Sequence, residues 1–134
     1  MAIDVAGARA GMKTRLETIS GLRAMDTLTQ INPPCAVIGL RVPVRFDMDF
    51  DGHAMYPWTI VVYVGRADDR SAQKKLDGYL SQSGATSVKA AIEGDNDLGS
   101  TVGSVRVTQI AQWGTVTEGD IDYLAAEFAV ETFG

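Results

Sequence analysis

Cysteine, histidine, clustered basic residues and long apolar runs are all scarce in this chain, and each scarcity removes a class of function. The single cysteine, Cys35, cannot form an internal disulfide. It stands between Pro34 and the apolar run Ala36-Val37-Ile38, so it reads as a buried thiol acting as a small hydrophobe. His53 is the only histidine. A zinc site built on one His and one Cys would need carboxylates for its remaining ligands, which is not a usual donor set. Ser/His/Asp catalysis would have to run through His53, and no Gly-x-Ser-x-Gly elbow presents a nucleophile. A Cys35–His53 dyad lacks a basic or helix-N-terminal neighbour to activate the thiol. Twelve Lys and Arg stand against seventeen Asp and Glu, a net charge of -5, and Lys74-Lys75 is the densest basic pair. Such a surface does not grip phosphates, because counterion release needs clustered cations. No apolar run approaches the roughly 20 residues that span a bilayer. The N-terminus has no basic region followed by an apolar stretch, so a reducing, aqueous compartment is expected.

What is present is an ordinary globular composition of 46% apolar and 22% charged residues over 134 positions. That length suits one domain, residues 1–134, able to bury a continuous core without metal or disulfide staples. Val5, Ala8, Met12, Leu16 and Ile19 recur at helical spacing, with Asp4 as N-cap and Gly21 as the stop. Gly7 and Gly11 weaken that helix, each by roughly 1 kcal/mol relative to Ala. Asn32-Pro33-Pro34 then breaks the chain before a short extended run, 35–40.

The strongest strand pattern follows. Val42, Val44, Phe46, Met48 and Phe50 alternate with Arg45, Asp47, Asp49 and Asp51. Asp51-Gly52 is a turn pair, and 55–65 is dense in β-formers on both faces, as a central strand would be. These two segments are expected to pair as a long β-hairpin. Asp68 and Asp69 open a helix reaching about Ser81, with Ala72, Leu76, Tyr79 and Leu80 inward. Ser87 caps a short helix containing Val88, Ala91 and Ile92, and a polar, glycine-rich loop covers 94–103. Val105 and Val107 mark the first of two final strands. Leu124, Ala126, Phe128 and Val130 mark the second, and Thr117-Glu118-Gly119-Asp120 turns between them. The order implies an α+β fold: a mostly antiparallel sheet with a long hairpin, packed against an N-terminal helix and one or two central helices.

The most tempting chemical motif is Asp47-Met48-Asp49-Phe50-Asp51-Gly52, which matches the first half of an EF-hand loop. The twelfth position is Trp58, where a bidentate Glu is required; the eleventh is Pro57 and the seventh is His53. The plain reading is the polar face of a hairpin, with loose cation binding left as the alternative. Asp68-Asp69, Asp95-Asn96-Asp97 and Asp120-Ile121-Asp122 fall at helix starts or in loops, where Asp serves local backbone hydrogen bonds. Gly94-Asp95-Asn96-Asp97-Leu98-Gly99 lacks the Gly-Lys-Ser/Thr ending of a phosphate loop. No catalytic, cofactor or metal residue is assigned. Phe50, Met55, Tyr56 and Trp58 cluster around the hairpin, either as an exposed subunit-interface patch or folded back to complete the core.

Read in order, several segments carry a family likeness. They are the N-terminal amphipathic helix ending Gly21-Leu22, then Gln30-Ile31-Asn32-Pro33-Pro34-Cys35-Ala36-Val37-Ile38-Gly39. Gly65-Arg66-Ala67-Asp68-Asp69-Arg70-Ser71-Ala72-Gln73 follows, leading to Leu76-Asp77-Gly78-Tyr79-Leu80 and Ser87-Val88-Lys89-Ala90-Ala91-Ile92-Glu93. Ser104-Val105-Arg106-Val107 and Tyr123-Leu124-Ala125-Ala126-Glu127-Phe128 complete the set. In that order the chain resembles the tail terminator and head–tail joining (neck) subunits of long-tailed, siphovirus-type bacteriophages, over about residues 5 to 131.

The resemblance implies a non-enzymatic structural virion protein without cofactors, whose copies form a hexameric ring. Such a ring caps the tail tube and joins it to the head. The implied partners are further copies of the chain, the tail-tube protein and a head-completion or connector protein. DNA passes through without specific binding, and no membrane is involved. The implied place is the head–tail junction of the virion, after assembly in the host cytoplasm. A head-side connector or stopper, or a tail-completion protein, is the nearest alternative. A small cation-binding or hydrolytic domain using Asp47, Asp49, Asp51 and His53 is the rival from another class.

Overall fold

The computed structural model describes residues 3–25, 33–68 and 70–134. Its elements are α1 (Val5–Leu16), β1 (Arg23–Met25), β2 (Cys35–Leu40), β3 (Met55–Arg66), α2 (Arg70–Leu80), α3 (Val88–Glu93), β4 (Ser104–Glu118) and β5 (Ile121–Phe133). The five strands form one sheet in the order β1-β2-β3-β5-β4. Only β1 and β2 run parallel; every other neighbouring pair is antiparallel. The class is therefore α+β, with the helices packed on one sheet face. Asn32 of the predicted break, Gln30 and Ile31 before it, and Asp69 lie outside the described residues.

Alternation along β3 and β5 decides which side chains meet the helices. Trp58, Ile60, Val62 and Val64 of β3 join Leu124, Ala126, Phe128 and Val130 of β5 in the main core. Ala8, Met12 and Leu16 of α1, Ala72, Leu76 and Tyr79 of α2, and Val88, Ala91 and Ile92 of α3 pack against them. The opposite sheet face carries a smaller cluster of Cys35, Tyr63, Tyr123 and Ala125. The two tyrosine rings meet edge to face with centroids 6.0 Å apart, and Cys35 beside them is fully buried. β3 thus buries side chains on both faces at the centre of the sheet, as its composition predicts.

Helix α1 begins where the sequence places it, with the Asp4 carboxylate accepting from the Gly7 N–H at 3.0 Å. It ends at Leu16, earlier than Gly21. Turns through Glu17–Ser20 follow, with Ile19 donating back to the Leu16 carbonyl, before Gly21 adopts φ +81. Gly11 has a second meaning beyond its low helix propensity. A Cβ there would stand 2.9 Å from Leu98 Cβ and from the Leu98 carbonyl oxygen, so glycine lets the 94–103 loop seat Leu98 against α1.

The long hairpin is not where the alternating pattern puts it. Residues 42–50 form no regular strand; Arg45 makes one isolated bridge to Met55, within an excursion spanning 41–54 between β2 and β3. Val42, Phe46, Met48 and Phe50 are exposed instead of facing a core. The backbone reverses early because Asp47 adopts φ 53 and Met48 N–H donates to the His53 carbonyl. Among the described residues no helix or strand covers the apolar side of this segment beyond the Phe46–Tyr56 ring contact, and alternation without a covering layer has nothing to bury. The long hairpin is formed by β4 and β5, which turn at Gly119 (φ +63) and Asp120.

Candidate functional site

The residues singled out around the predicted hairpin part company in the structure. Trp58 is fully buried, its indole N–H donating to Thr132 Oγ1 at 3.0 Å while the Arg9 guanidinium lies 5.5 Å from its ring centre. The Thr132 hydroxyl donates in turn to the Tyr56 carbonyl at 3.1 Å. Trp58 therefore belongs to the core, the second of the two readings open for it, and offers no surface to a neighbour. Met55 and Tyr56 are half-buried at the start of β3. Phe46 stacks edge to face on Tyr56 with centroids 5.9 Å apart, yet remains 66% exposed. Phe50 touches little: its exposure is that of a free side chain. The apolar surface of this region is thus Val42, Phe46, Met48 and Phe50, carried on the 41–54 excursion.

The same excursion holds the acidic turn. Asp49, Asp51 and His53 bring ligand-type atoms within 4.8 Å of one another, all exposed, and Asp47 is not part of that group. The Asp49 carboxylate is already employed. Its Oδ1 accepts from the Asp51 and His53 N–H groups at 3.0 and 3.2 Å, and its Oδ2 lies 2.6 Å from His53 Nδ1. The His53 side-chain bond, then the His53 backbone bond, hold the Asp49 carboxyl below its ordinary value. The arrangement is what an Asx-type turn needs to close on itself. A Cys35–His53 dyad is ruled out by the register. Cys35 pairs with Tyr63, whereas His53 precedes the first residue of β3. Eight residues of strand separate those positions, about 26 Å at 3.3 Å per residue.

A second region drew no attention in the sequence. β4 lies at the edge of the sheet, and beyond Val107 its side chains turn to solvent, leaving Ile110, Trp113 and Val116 exposed. At Val107 itself the edge is occupied. Val107 N–H donates to Glu93 Oε2 at 2.9 Å, and Lys89 Nζ donates to the Val107 carbonyl at 3.2 Å and to the same Glu93 oxygen at 2.7 Å. A helix ion pair thus fills the place of a sixth strand for one residue. Burial pushes the Glu93 carboxyl up, but the Lys89 and Val107 hydrogen bonds outweigh it and the net direction is down. The i,i+4 spacing of Lys89 and Glu93 was readable in the sequence; their target across the loop was not.

Among the described residues the surface hollows are shallow. One of about 270 Å³ lies over Gly114, lined by Val61, Tyr63, Val116 and Ala125 on the sheet face away from the helices. Another, lined by Ser20, Gly21, Lys74, Lys75 and Tyr79, lies beside α2. Neither contains His53. No family model matches the chain, and no curated protein matches it.

Proposed function

We propose that this chain is a structural, non-catalytic subunit of a tailed-phage neck, a tail terminator whose copies assemble into a ring joining tail tube to head. The observation that carries the reading is the 41–54 excursion, which holds Val42, Phe46, Met48 and Phe50 in water at the end of a completed core. A chain that buries Trp58, Phe128 and three helix faces has enough apolar material inside. Large groups left outside on one segment are a signature of protein contact. The excursion emerges where β3 begins, and Ala54 and Gly134 exchange backbone hydrogen bonds at its base, so it is anchored at its root and free at its tip. An arm of that kind suits the heterologous, closing contacts of a ring. The absence of a clustered cationic surface agrees with a conduit that DNA passes without being held.

Antibody labelling of purified virions, viewed by electron microscopy, tests the proposal. Label confined to the head–tail junction supports it, and particles without label overturn it. Within that outcome, the double variant Phe46→Ser, Phe50→Ser separates the arm from the rest: the ring should fail to close, leaving tail tubes uncapped and unjoined to heads, while the isolated chain keeps its fold.

A further inference from the structure

The strand that Lys89 and Glu93 guard at Val107 is unguarded from Gln112 to Glu118. In an antiparallel ladder the residues of an edge strand turn their N–H and C=O groups alternately to the partner strand and away from it. Val107, opposite Val130, faces away, and there the helix ion pair satisfies it. On β5, Asp122 belongs to the same set as Val130, since its carbonyl accepts from Ala67 on the β3 side. The residues opposite Ala126, Leu124 and Asp122 therefore face away as well: Trp113, Thr115 and Thr117. Two register irregularities disturb the strand before Gln112; from Gln112 to Glu118 the pairing with β5 is unbroken. That stretch has no proline and no lysine, and no covering element among the described residues, the usual protections of an edge.

We infer that this edge pairs, antiparallel and about a two-fold axis near Thr115, with β4 of a second copy of the chain. The charge pattern selects this occupant and this direction. The strand is uncharged between Arg106 and Glu118, so two chains of net charge -5 meet there without like charges in the contact. Antiparallel pairing about Thr115 sets Glu118 of each copy opposite the uncharged Gln112 of the other, whereas parallel pairing in register would set Glu118 against Glu118. The other sheet edge, β1, is three residues long as described and cannot match it. Shape agrees: with Thr115 on the axis, Gly114 of one copy faces Val116 of the other, and the hollow over Gly114 is lined by Val61, Tyr63 and Ala125, with Gln112 and Glu127 at its polar side. An isologous contact of this kind closes at two. It concerns the chain in solution and does not rest on the neck reading.

Sedimentation equilibrium and one engineered cysteine test the contact together. The wild-type chain should show twice its 14.3 kDa mass at high concentration. Thr115→Cys should form an intermolecular disulfide under mild oxidation, because facing residues of a hydrogen-bonded antiparallel pair have Cα atoms about 5.5 Å apart, within disulfide reach. Thr108→Cys should not. Thr115→Pro, which deletes an outward N–H and no bond to β5, should return the mass to 14.3 kDa with an unchanged circular dichroism spectrum. A monomer at every concentration overturns the inference. So does a dimer or larger ring in which the Thr115→Cys variant fails to cross-link, since association would then use another surface. If the proline variant unfolds, the Thr115→Cys result decides.

Discussion

Residues 42–50 and 124–130 both place apolar side chains at every second position, and only the second becomes a strand. Leu124, Ala126, Phe128 and Val130 lie between β3 and β4 with the helices stacked on their face. Val42, Phe46, Met48 and Phe50 have no covering layer, and the backbone between them turns through Asp47 and Asp49 instead of pairing. A period of two says that one face wants burial; it does not say that the fold supplies the cover. The comparison has a direct energetic reading. Trp58→Ala should cost about 3–5 kcal/mol in urea unfolding, the range for deleting a buried aromatic. Phe50→Ala, eight positions earlier in the same predicted hairpin, should stay within about 0.5 kcal/mol, as exposed substitutions do. Equal losses would mean that the excursion packs onto the body in solution.

The two halves of β4 offer a comparison of intermediate size. The outward backbone groups of Val107 are held by Lys89 and Glu93, whereas those of Thr115 face away from β5 with no element over them among the described residues. Glu93→Gln replaces a charged acceptor by a neutral one and should cost on the order of 1 kcal/mol, the difference between hydrogen bonds to ionised and to neutral groups. Thr115→Ser should cost less than a third as much. The acid response follows in sign. The folded-state value of Glu93 lies below its ordinary 4.5, so its contribution is complete above that pH and is lost as pH falls through the folded value. A urea midpoint followed downward from pH 6 should therefore drop less steeply in Glu93→Gln than in the parent.

Most of the core was legible because it is local and periodic. The α1 stripe, the inward residues of α2 and the β5 alternation buried the side chains that their spacing nominated, except Val5 and Leu80, which are half-buried at the border of the core. The buried Cys35 and the Ser87 cap, whose side chain accepts from Ala90 N–H at 3.1 Å, were equally readable. What failed was anything that depends on which layer lies above which. The excursion reads as a strand until the missing cover is known. The full length of β4 was hidden because its two register irregularities break the alternation, so Ile110 falls out of phase with Val105 and Val107. Trp58 could not be assigned to surface or core until Thr132, seventy-four residues away, supplied its hydrogen-bond acceptor.

The smallest expected effect belongs to the acidic turn, and it separates a turn from an ion site. Asp49 accepts from Asp51 and His53 and lies beside the His53 ring, and its carboxyl sits below the ordinary 3.8. The order it gives the turn is therefore complete above pH 3.8 and fades as pH falls through the lower folded-state value. Since every group involved is exposed, global stability should scarcely change when Asp49 is replaced by Asn. The amide side chain keeps one carbonyl acceptor for the Asp51 and His53 N–H groups but loses the charge beside the imidazole. Backbone amide shifts should thus move only within 47–53. Calcium or zinc added to the parent should leave those shifts where they are, because the Asp49 oxygens are committed to the turn. A saturable, metal-dependent shift at Asp49, Asp51 and His53 that disappears in Asp49→Asn would instead make the excursion a ligand site, and the exposed aromatic groups beside it would need a different explanation.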